Sequence, residues 1–260
     1  MFNFIRRQER ALQAPVGKRA YAVGDIHGRA DLLDLLLGDI ERDILSRPQA
    51  ENYVVFLGDY VDRGPASREV IDRLSSLASD IFTPIFLIGN HEEVLLRLLA
   101  GEQGLLASWL KFGGAQCARS YGLDPRKLGR QEERAALKAL GEAVPQHHAQ
   151  FLRELVDTFR FGDYLFVHAG IRPGVDLGEQ SQLDLRWIRA PFLEDRSDHG
   201  FMVIHGHTIS EAVDEQPNRI GIDTGAYWSG VLSAVGLEGA ERWYLSTTAT
   251  RTEQRVSLVD

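Results

Sequence analysis

Cysteine is almost absent: Cys117 is the only one in 260 residues. It has no partner for an internal disulfide and no second thiol for a zinc–thiolate cage, so it reads as a small buried hydrophobe. Long apolar runs are missing too. None approaches the ~20 residues that cross a bilayer. Met1 to Gln13 carries Arg6, Arg7 and Arg10 but lacks the apolar core and small-residue cleavage site of a secretory leader. No membrane contact and a cytoplasmic location follow as expectations. A basic excess is lacking as well. Lys and Arg number 29 against 37 Asp and Glu, a net charge of −8, which argues against a broad surface for duplex nucleic acid. An anionic substrate stays open, because bound divalent cations invert a local field. Internal repeats, low-complexity tracts and linkers are also missing. With 44% apolar residues, the chain reads as one α/β domain.

What the chain does have is charge placed at the ends of apolar runs. Tyr53 to Leu57 reads as a buried strand and leads into Gly58-Asp59-Tyr60-Val61-Asp62-Arg63-Gly64. Upstream, Tyr21 to Val23 leads into Gly24-Asp25-Ile26-His27-Gly28; downstream, Ile85 to Ile88 leads into Gly89-Asn90-His91-Glu92. Asp25, Asp59 and Asn90 are spaced by roughly 30 residues each, the length of a strand–helix–strand crossover. The three loops therefore fall at one end of a mostly parallel sheet, where open α/β sheets bind their ligands.

The rest of the chain supports this frame. Residues 1–17 read as a leader, either frayed or docked through Phe2, Phe4 and Ile5 on a domain spanning 18–248, and 249–260 as a tail. Helices are expected at Asp31 to Ile44, Arg68 to Leu77 and Glu92 to Leu99. Residues 100–160 are helix-biased and carry no strand signal, so they read as a helical insertion. Trp109, Phe112, Gly113, Gly114, Ser120 and Tyr121 make a patch within it that reads as helix–turn–helix core or as a wall of the substrate cleft. His147 and His148 have no ligand types beside them and read as surface histidines. Strand patterns return at Tyr164 to Val167, ending in His168-Ala169-Gly170, and at Phe201 to Ile204, ending in His205-Gly206-His207. Arg219 to Ile222, Val231 to Val235 and Trp243 to Thr247 are spaced like strands of a meander.

Five strand-end clusters of Asp, Asn and His, without thiolate, suit manganese first, with iron or zinc as alternatives. Asp25 and His27 can grip one divalent ion, Asp59 can bridge, and Asn90, His168 and His205 can complete a second. Two such ions clamp the attacking and leaving oxygens of a phosphoryl transfer and bring hydroxide within reach near neutral pH. That hydroxide can attack phosphorus directly. His91 then serves as general acid, kept cationic by Asp62, and Arg63 holds the phosphoryl oxygens.

The motifs GDIHG, GDYVDRG, GNHE, HAG and HGH, in this order from about Tyr21 to Gly236, resemble the phosphoprotein phosphatase family of calcineurin-like metallophosphoesterases. The resemblance implies an αββα sandwich of two β-sheets flanked by helices. It also implies a first metal on Asp25, His27 and Asp59, and a second on Asp59, Asn90, His168 and His205. His91 with Asp62 would be the catalytic pair and Arg63 a phosphate-binding arginine. A second such arginine fits Trp187-Ile188-Arg189 best, with Arg186 and Arg172 as competitors. Ile88 before Gly89 and Ile222-Asp223-Thr224-Gly225-Ala226-Tyr227 near the end resemble the bacterial branch. Glu92-Glu93-Val94 after His91 looks more like a protein phosphatase than a symmetrical diadenosine tetraphosphatase. The expected activity is phosphomonoester hydrolysis on phosphoserine and phosphothreonine in a phosphoprotein or phosphopeptide, with dual specificity that includes phosphotyrosine left open. Dinucleoside polyphosphate hydrolysis is the alternative, in which Trp109, Tyr227 or Trp228 stacks an adenine.

Overall fold

The computed structural model describes residues 12–247; the expected docking of Phe2, Phe4 and Ile5 and the tail at 249–260 lie outside the described residues. Strands β1 (Lys18–Val23), β2 (Glu51–Phe56) and β3 (Thr83–Phe86) alternate with helices α1 (Ala30–Ser46), α2 (Ser67–Ser75) and α3 (Asn90–Leu99). The crossovers make β1, β2 and β3 parallel neighbours, so their carboxyl ends lie on one edge. Helix α1 forms because its apolar residues recur every three or four positions and bury Leu32, Leu33, Leu36, Leu37, Ile40 and Ile44. Each such side chain contributes about 1.5–3 kcal/mol by leaving water.

The insertion holds α4 (Leu106–Trp109), α5 (Ala115–Ser120), α6 (Pro125–Leu128), α7 (Glu133–Ala143) and α8 (Gln146–Arg153), with a kink at Phe112 and Gly113 between the first two. Its end was expected to be helical. Instead β4 (Thr158–Phe161) pairs antiparallel with β5 (Tyr164–Val167), because Thr-Phe-Arg-Phe alternates and only four residues were there to signal it. After α9 (Gln182–Trp187) come β6 (Met202–His205), β7 (Asp214–Glu215), β8 (Arg219–Gly221), α10 (Ala226–Ser229), β9 (Ser233–Glu238) and β10 (Glu241–Ser246).

The late strands do not form a meander. β8 runs parallel to β6, whereas β9 forms a hairpin with β10 and pairs antiparallel with β1. The result is two five-stranded mixed sheets, ordered β10-β9-β1-β2-β3 and β4-β5-β6-β8-β7.

Strand alternation assigns the layers. Tyr21, Val23, Val54 and Phe56 face the helices and share their core with α1, α2, α3 and the insertion. Ala20, Ala22, Val55 and Leu57 face the other way and meet Tyr164, Phe166, Met202, Ile204 and Ile220 between the sheets. Leu165, Val167 and Val203 point out of the second sheet to Leu185, Ile188 and Phe192. This is the α/β architecture of two sheets flanked by helices that the motifs led us to expect. Cys117 is a free, buried side chain. No helix among the described residues is long and apolar enough to cross a membrane.

Candidate active site and metal centre

The loops after β1, β2, β3, β5 and β6 converge, and their backbone is strained. Among the described residues, the non-glycine positions with positive φ are His27, Asp59, Asp62, Arg63 and His207, at 45° to 70°. A left-handed conformation of this kind costs of order 1–3 kcal/mol and persists where the surroundings over-determine it. Glu92 is one cause. It is fully buried, and its carboxylate accepts from the backbone N–H groups of Asp59 (2.7 Å), Tyr60 (2.8 Å), Val61 (3.2 Å) and Gly89 (3.0 Å). Those four bonds pin the loop after β2 to the start of α3.

Asp59 sits at the centre. His27 Nε2 lies 3.4 Å from its Oδ2 and His168 Nε2 lies 3.3 Å from its Oδ1. Asn90 Oδ1 lies 3.0 Å from His168 Nε2 and 2.9 Å from His207 Nδ1. Asp25, buried nearby, accepts from the His207 N–H at 3.0 and 3.2 Å. Asp25, His27, Asp59, Asn90 and His168 are thus brought together as expected.

His205 is not, and this corrects the sequence reading. On β6 it shares the face of Val203, and alternation turns it away from the site. Its ring meets Phe192 edge-on at 5.1 Å and its Nε2 lies 3.4 Å from Arg219 Nη1. The left-handed turn at His207 brings the second histidine of His-Gly-His inward instead, into a compact group with Asp59 and His168.

The residues fit a pair of divalent cations. His27 Nδ1 donates to the Val61 carbonyl (2.8 Å) and His168 Nδ1 to the Leu57 carbonyl (2.9 Å). Burial keeps both imidazoles neutral, lowering His27 to about 3 and His168 below its ordinary value. Each Nε2 therefore presents a lone pair, not a proton, toward the Asp59 carboxylate. Lone pairs facing a carboxylate at this range repel unless a cation lies between them, and carbonyl-anchored imidazoles are the usual form of metal ligands. His27 Nε2, His207 Nε2 and Asp223 Oδ2 are buried with no hydrogen-bond partner. Burial, then Asp223 and Asp59, pushes the Asp25 carboxyl well above its usual range, and burial raises Asp223 to about 6. Burial alone would also raise Asp59, but positive charge on the histidines around it holds it well below, the charge that a cation supplies where the rings themselves are neutral. Three buried carboxylates call for positive charge.

Beside this group, His91 Nδ1 donates to Asp62 Oδ2 at 2.7 Å and its Nε2 lies 3.9 Å from Asp59 Oδ2. Burial would lower its pKa, but the Asp59 charge and the Asp62 hydrogen bond raise it to about 9. Asp62 is held by Trp109, whose Nε1–H donates to both carboxylate oxygens at 3.1 and 3.0 Å. Trp109 is 3% exposed. It is therefore neither a cleft wall nor a stacking platform but the support of Asp62, a role that its spacing from Gly113 and Gly114 could not disclose. A Cβ at Gly114 would come within 2.2 Å of the Trp109 ring. Gly113, at φ 123°, accepts from the Arg63 N–H at 3.0 Å, and a Cβ there would meet Arg63 Cγ at 2.7 Å.

Arg63 Nη2 lies 3.2 Å from His91 Nε2, and its guanidinium lies 5.0 Å from the Tyr227 ring. Of the competing arginines, Arg186 pairs with Asp157 (2.6 Å) and Glu93 (3.4 Å), and Arg172 with Asp184 (2.6 Å). Arg189 is exposed and makes no ion pair among the described residues. Burial lowers both His168 and His207, and the Arg189 charge adds a smaller push in the same direction.

Buried carboxylates and neutral imidazoles around one central aspartate, with the His91 ring on Asp62 and the Arg63 guanidinium beside them, are the residue set of a metal-assisted hydrolase of phosphate esters. The calcineurin-like phosphoesterase family description matches residues 18–234, and the chain belongs to that family. It is 27% identical over 232 residues to an asymmetrical bis(5'-nucleosyl)-tetraphosphatase of Anoxybacillus flavithermus, covering 82% of this chain and 88% of the relative. It is equally 27% identical over 267 residues to a symmetrical bis(5'-nucleosyl)-tetraphosphatase of Neisseria gonorrhoeae, covering 85% and 93%. A solved structure described as a candidate diadenosine tetraphosphatase shares the fold, with a TM-score of 0.62 at 22% identity over 91% of this chain and 96% of that one.

Proposed function

We propose that this chain hydrolyses dinucleoside polyphosphates of the diadenosine tetraphosphate class. One observation favours a nucleotide: Trp228 is 78% exposed directly after Tyr227, whose half-buried ring stands over the Arg63 guanidinium and edge-on to His27 at 5.5 Å. A base stacking on such an aromatic step gains about 1–3 kcal/mol, whereas a phosphoserine has nothing to stack. The named relatives agree with that reading. Asp25, His27 and Asp59 would hold one divalent ion, and Asp59, Asn90, His168 and His207 the other, with manganese ahead of iron or zinc. When bound, the ions lower the pKa of water and neutralise charge on the transferred phosphoryl group. Arg63 and Arg189 bind phosphate oxygens, and His91, protonated near neutral pH, delivers a proton to the leaving oxygen.

Phosphoprotein hydrolysis is the second reading, supported by the likeness of the motif set to phosphoprotein phosphatases. Its distinguishing mark, Glu92-Glu93, carries less weight in the folded chain. Glu92 is buried on backbone N–H groups, and Glu93 accepts from Trp187 Nε1 at 3.2 Å, so both carboxylates are spent inside the protein. The test compares specificity constants of the manganese-loaded enzyme on diadenosine tetraphosphate and on a phosphoserine peptide. A tenfold preference for the dinucleotide, about 1.4 kcal/mol of transition-state binding, is expected. A tenfold preference for the peptide overturns the nucleotide reading. The products, two ADP or ATP with AMP, identify the bond cut.

A further inference from the structure

His147 and His148 are not the pair of surface histidines that their sequence neighbourhood suggests. His148 is fully buried, while His147 stays exposed. Both stand on α8, facing Asp72 on α2. His148 Nε2 lies 2.7 Å from Asp72 Oδ1, His147 Nε2 lies 3.8 Å from the same oxygen, and the two rings are 4.4 Å apart. One ligand atom from each of the three residues lies within 4.8 Å of the other two. We propose that Asp72, His147 and His148 form a separate single-ion site for a zinc-class transition metal, joining the helical insertion to α2.

The donor set selects the ion. Two imidazoles and one carboxylate oxygen suit zinc, cobalt, nickel or copper, whereas magnesium and calcium prefer oxygen alone. Bonds of about 2.0–2.1 Å to zinc place tetrahedral ligand atoms roughly 3.4 Å apart. The observed 2.7 and 3.8 Å straddle that spacing, and the two side chains that must adjust, His147 and Asp72, are 65% and 49% exposed. His148 is already oriented, since its Nδ1 lies 3.0 Å from the Tyr121 hydroxyl. With the ion on Nε2, Nδ1–H donates to that hydroxyl, the outer contact metal-bound histidines ordinarily make. The carboxylate's other oxygen faces Arg68 Nε at 3.7 Å. That is an exposed pair one helical turn apart, which holds the carboxylate only weakly and leaves Oδ1 for the ion. Water fills the remaining positions. Without an ion the same residues make a Tyr121–His148–Asp72 hydrogen-bond chain, and that chain gives His147 no task.

The test uses tag-free, full-length protein loaded with manganese, titrated with zinc by calorimetry, with metal content measured after buffer exchange. His147→Ala is the first variant, chosen because an exposed side chain can be removed without unfolding the protein. Wild type is expected to retain one zinc equivalent more than His147→Ala. Its melting temperature should also rise with added zinc more than the variant's does, because binding to the folded state stabilises it by mass action. Zinc exchanging into the Asp59 cluster affects both proteins alike and cancels in the difference. If His147→Ala is misfolded by circular dichroism, Asp72→Asn takes its place with the same expectation. Equal zinc stoichiometry and equal thermal shifts in wild type and variant overturn the proposal. So does the absence of a further equivalent in wild type at 100-fold excess over protein. Phosphoesterase turnover of His147→Ala should match wild type, which separates this outcome from any failure of the catalytic reading.

Discussion

Asp62→Asn isolates the carboxylate that keeps His91 charged. Asparagine has the same shape, and its Oδ1 still accepts from Trp109 Nε1, so the packing under the site survives. What disappears is the charge on the 2.7 Å hydrogen bond to His91 Nδ1. A hydrogen bond to a charged group is worth about 1.5–3 kcal/mol, and at 1.36 kcal/mol per unit this is about 1–2 pKa units. His91 stands at about 9, so the variant should place it nearer ~7–8. The donor works only while protonated, so activity is lost as pH rises through that value, and the loss must move to lower pH. The assay is the pH profile of kcat/KM on phenyl phosphate, a poor leaving group, beside 4-nitrophenyl phosphate, an activated one. The alkaline limb for phenyl phosphate should shift down by about 1–2 units, with little change for the activated ester. An unmoved or upward-moving limb refutes the assignment, as does an equal rate loss on both esters.

His207→Asn should lower the metal content of gel-filtered protein, whereas His205→Leu should leave it intact; the reverse result would restore His205 as the ligand. Loss of the proton donor in His91→Asn should slow alkyl phosphate turnover by about 10²–10⁴-fold. The effect should be smaller on diadenosine tetraphosphate, whose leaving phosphate has a pKa near ~6, and an equal loss on both would count against the donor role. Arg189→Ala should raise KM for phosphorylated substrates without changing the melting temperature, whereas Arg186→Ala, which unpairs Asp157 and Glu93, should lower the melting temperature; thermal melts with Michaelis kinetics separate the two. Trp228→Ala should raise KM for diadenosine tetraphosphate by about 5- to 150-fold, the equivalent of one stacked base at ~1–3 kcal/mol, and leave phenyl phosphate untouched. A parallel loss on both substrates would remove Trp228 from base recognition.

The crossover spacing of Asp25, Asp59 and Asn90 made the parallel half of the first sheet and its ligand edge legible before any coordinates. That worked because a βαβ unit has nearly one length and one hand. His205 shows how far such reading reaches. Alternation puts it on the face of Val203, but Met202, Val203 and Ile204 are all apolar and all buried, so only the packed structure shows that this face looks toward Phe192. His207 was not legible either, since its inward turn depends on a φ of 64° imposed by the loop. Contacts between segments far apart in sequence stayed hidden for the same reason. Trp109 reaches Asp62 across 47 positions, and His148 reaches Asp72 across 76. Nothing local to either residue records its partner.

Glu92 joins the strain in the site to the question of substrate. A carboxylate that accepts four backbone N–H bonds at the end of β2 is doing the work of a ligand for the loop itself. It holds Asp59 in its left-handed conformation, while Ser67 Oγ and the Gly113 carbonyl take the N–H groups of Asp62 and Arg63 further along the same loop. A residue fully engaged in this way has no oxygen left for substrate, so the identity of the side chain after His91 reports on loop construction and not on what is hydrolysed. Selectivity must instead come from groups that remain exposed beside the guanidiniums. Trp228 and Phe112 are exposed aromatics that directly adjoin in sequence the two residues touching Arg63, Tyr227 and Gly113. It is there, and not in the motifs shared by the family, that a nucleotide and a phosphopeptide would be told apart.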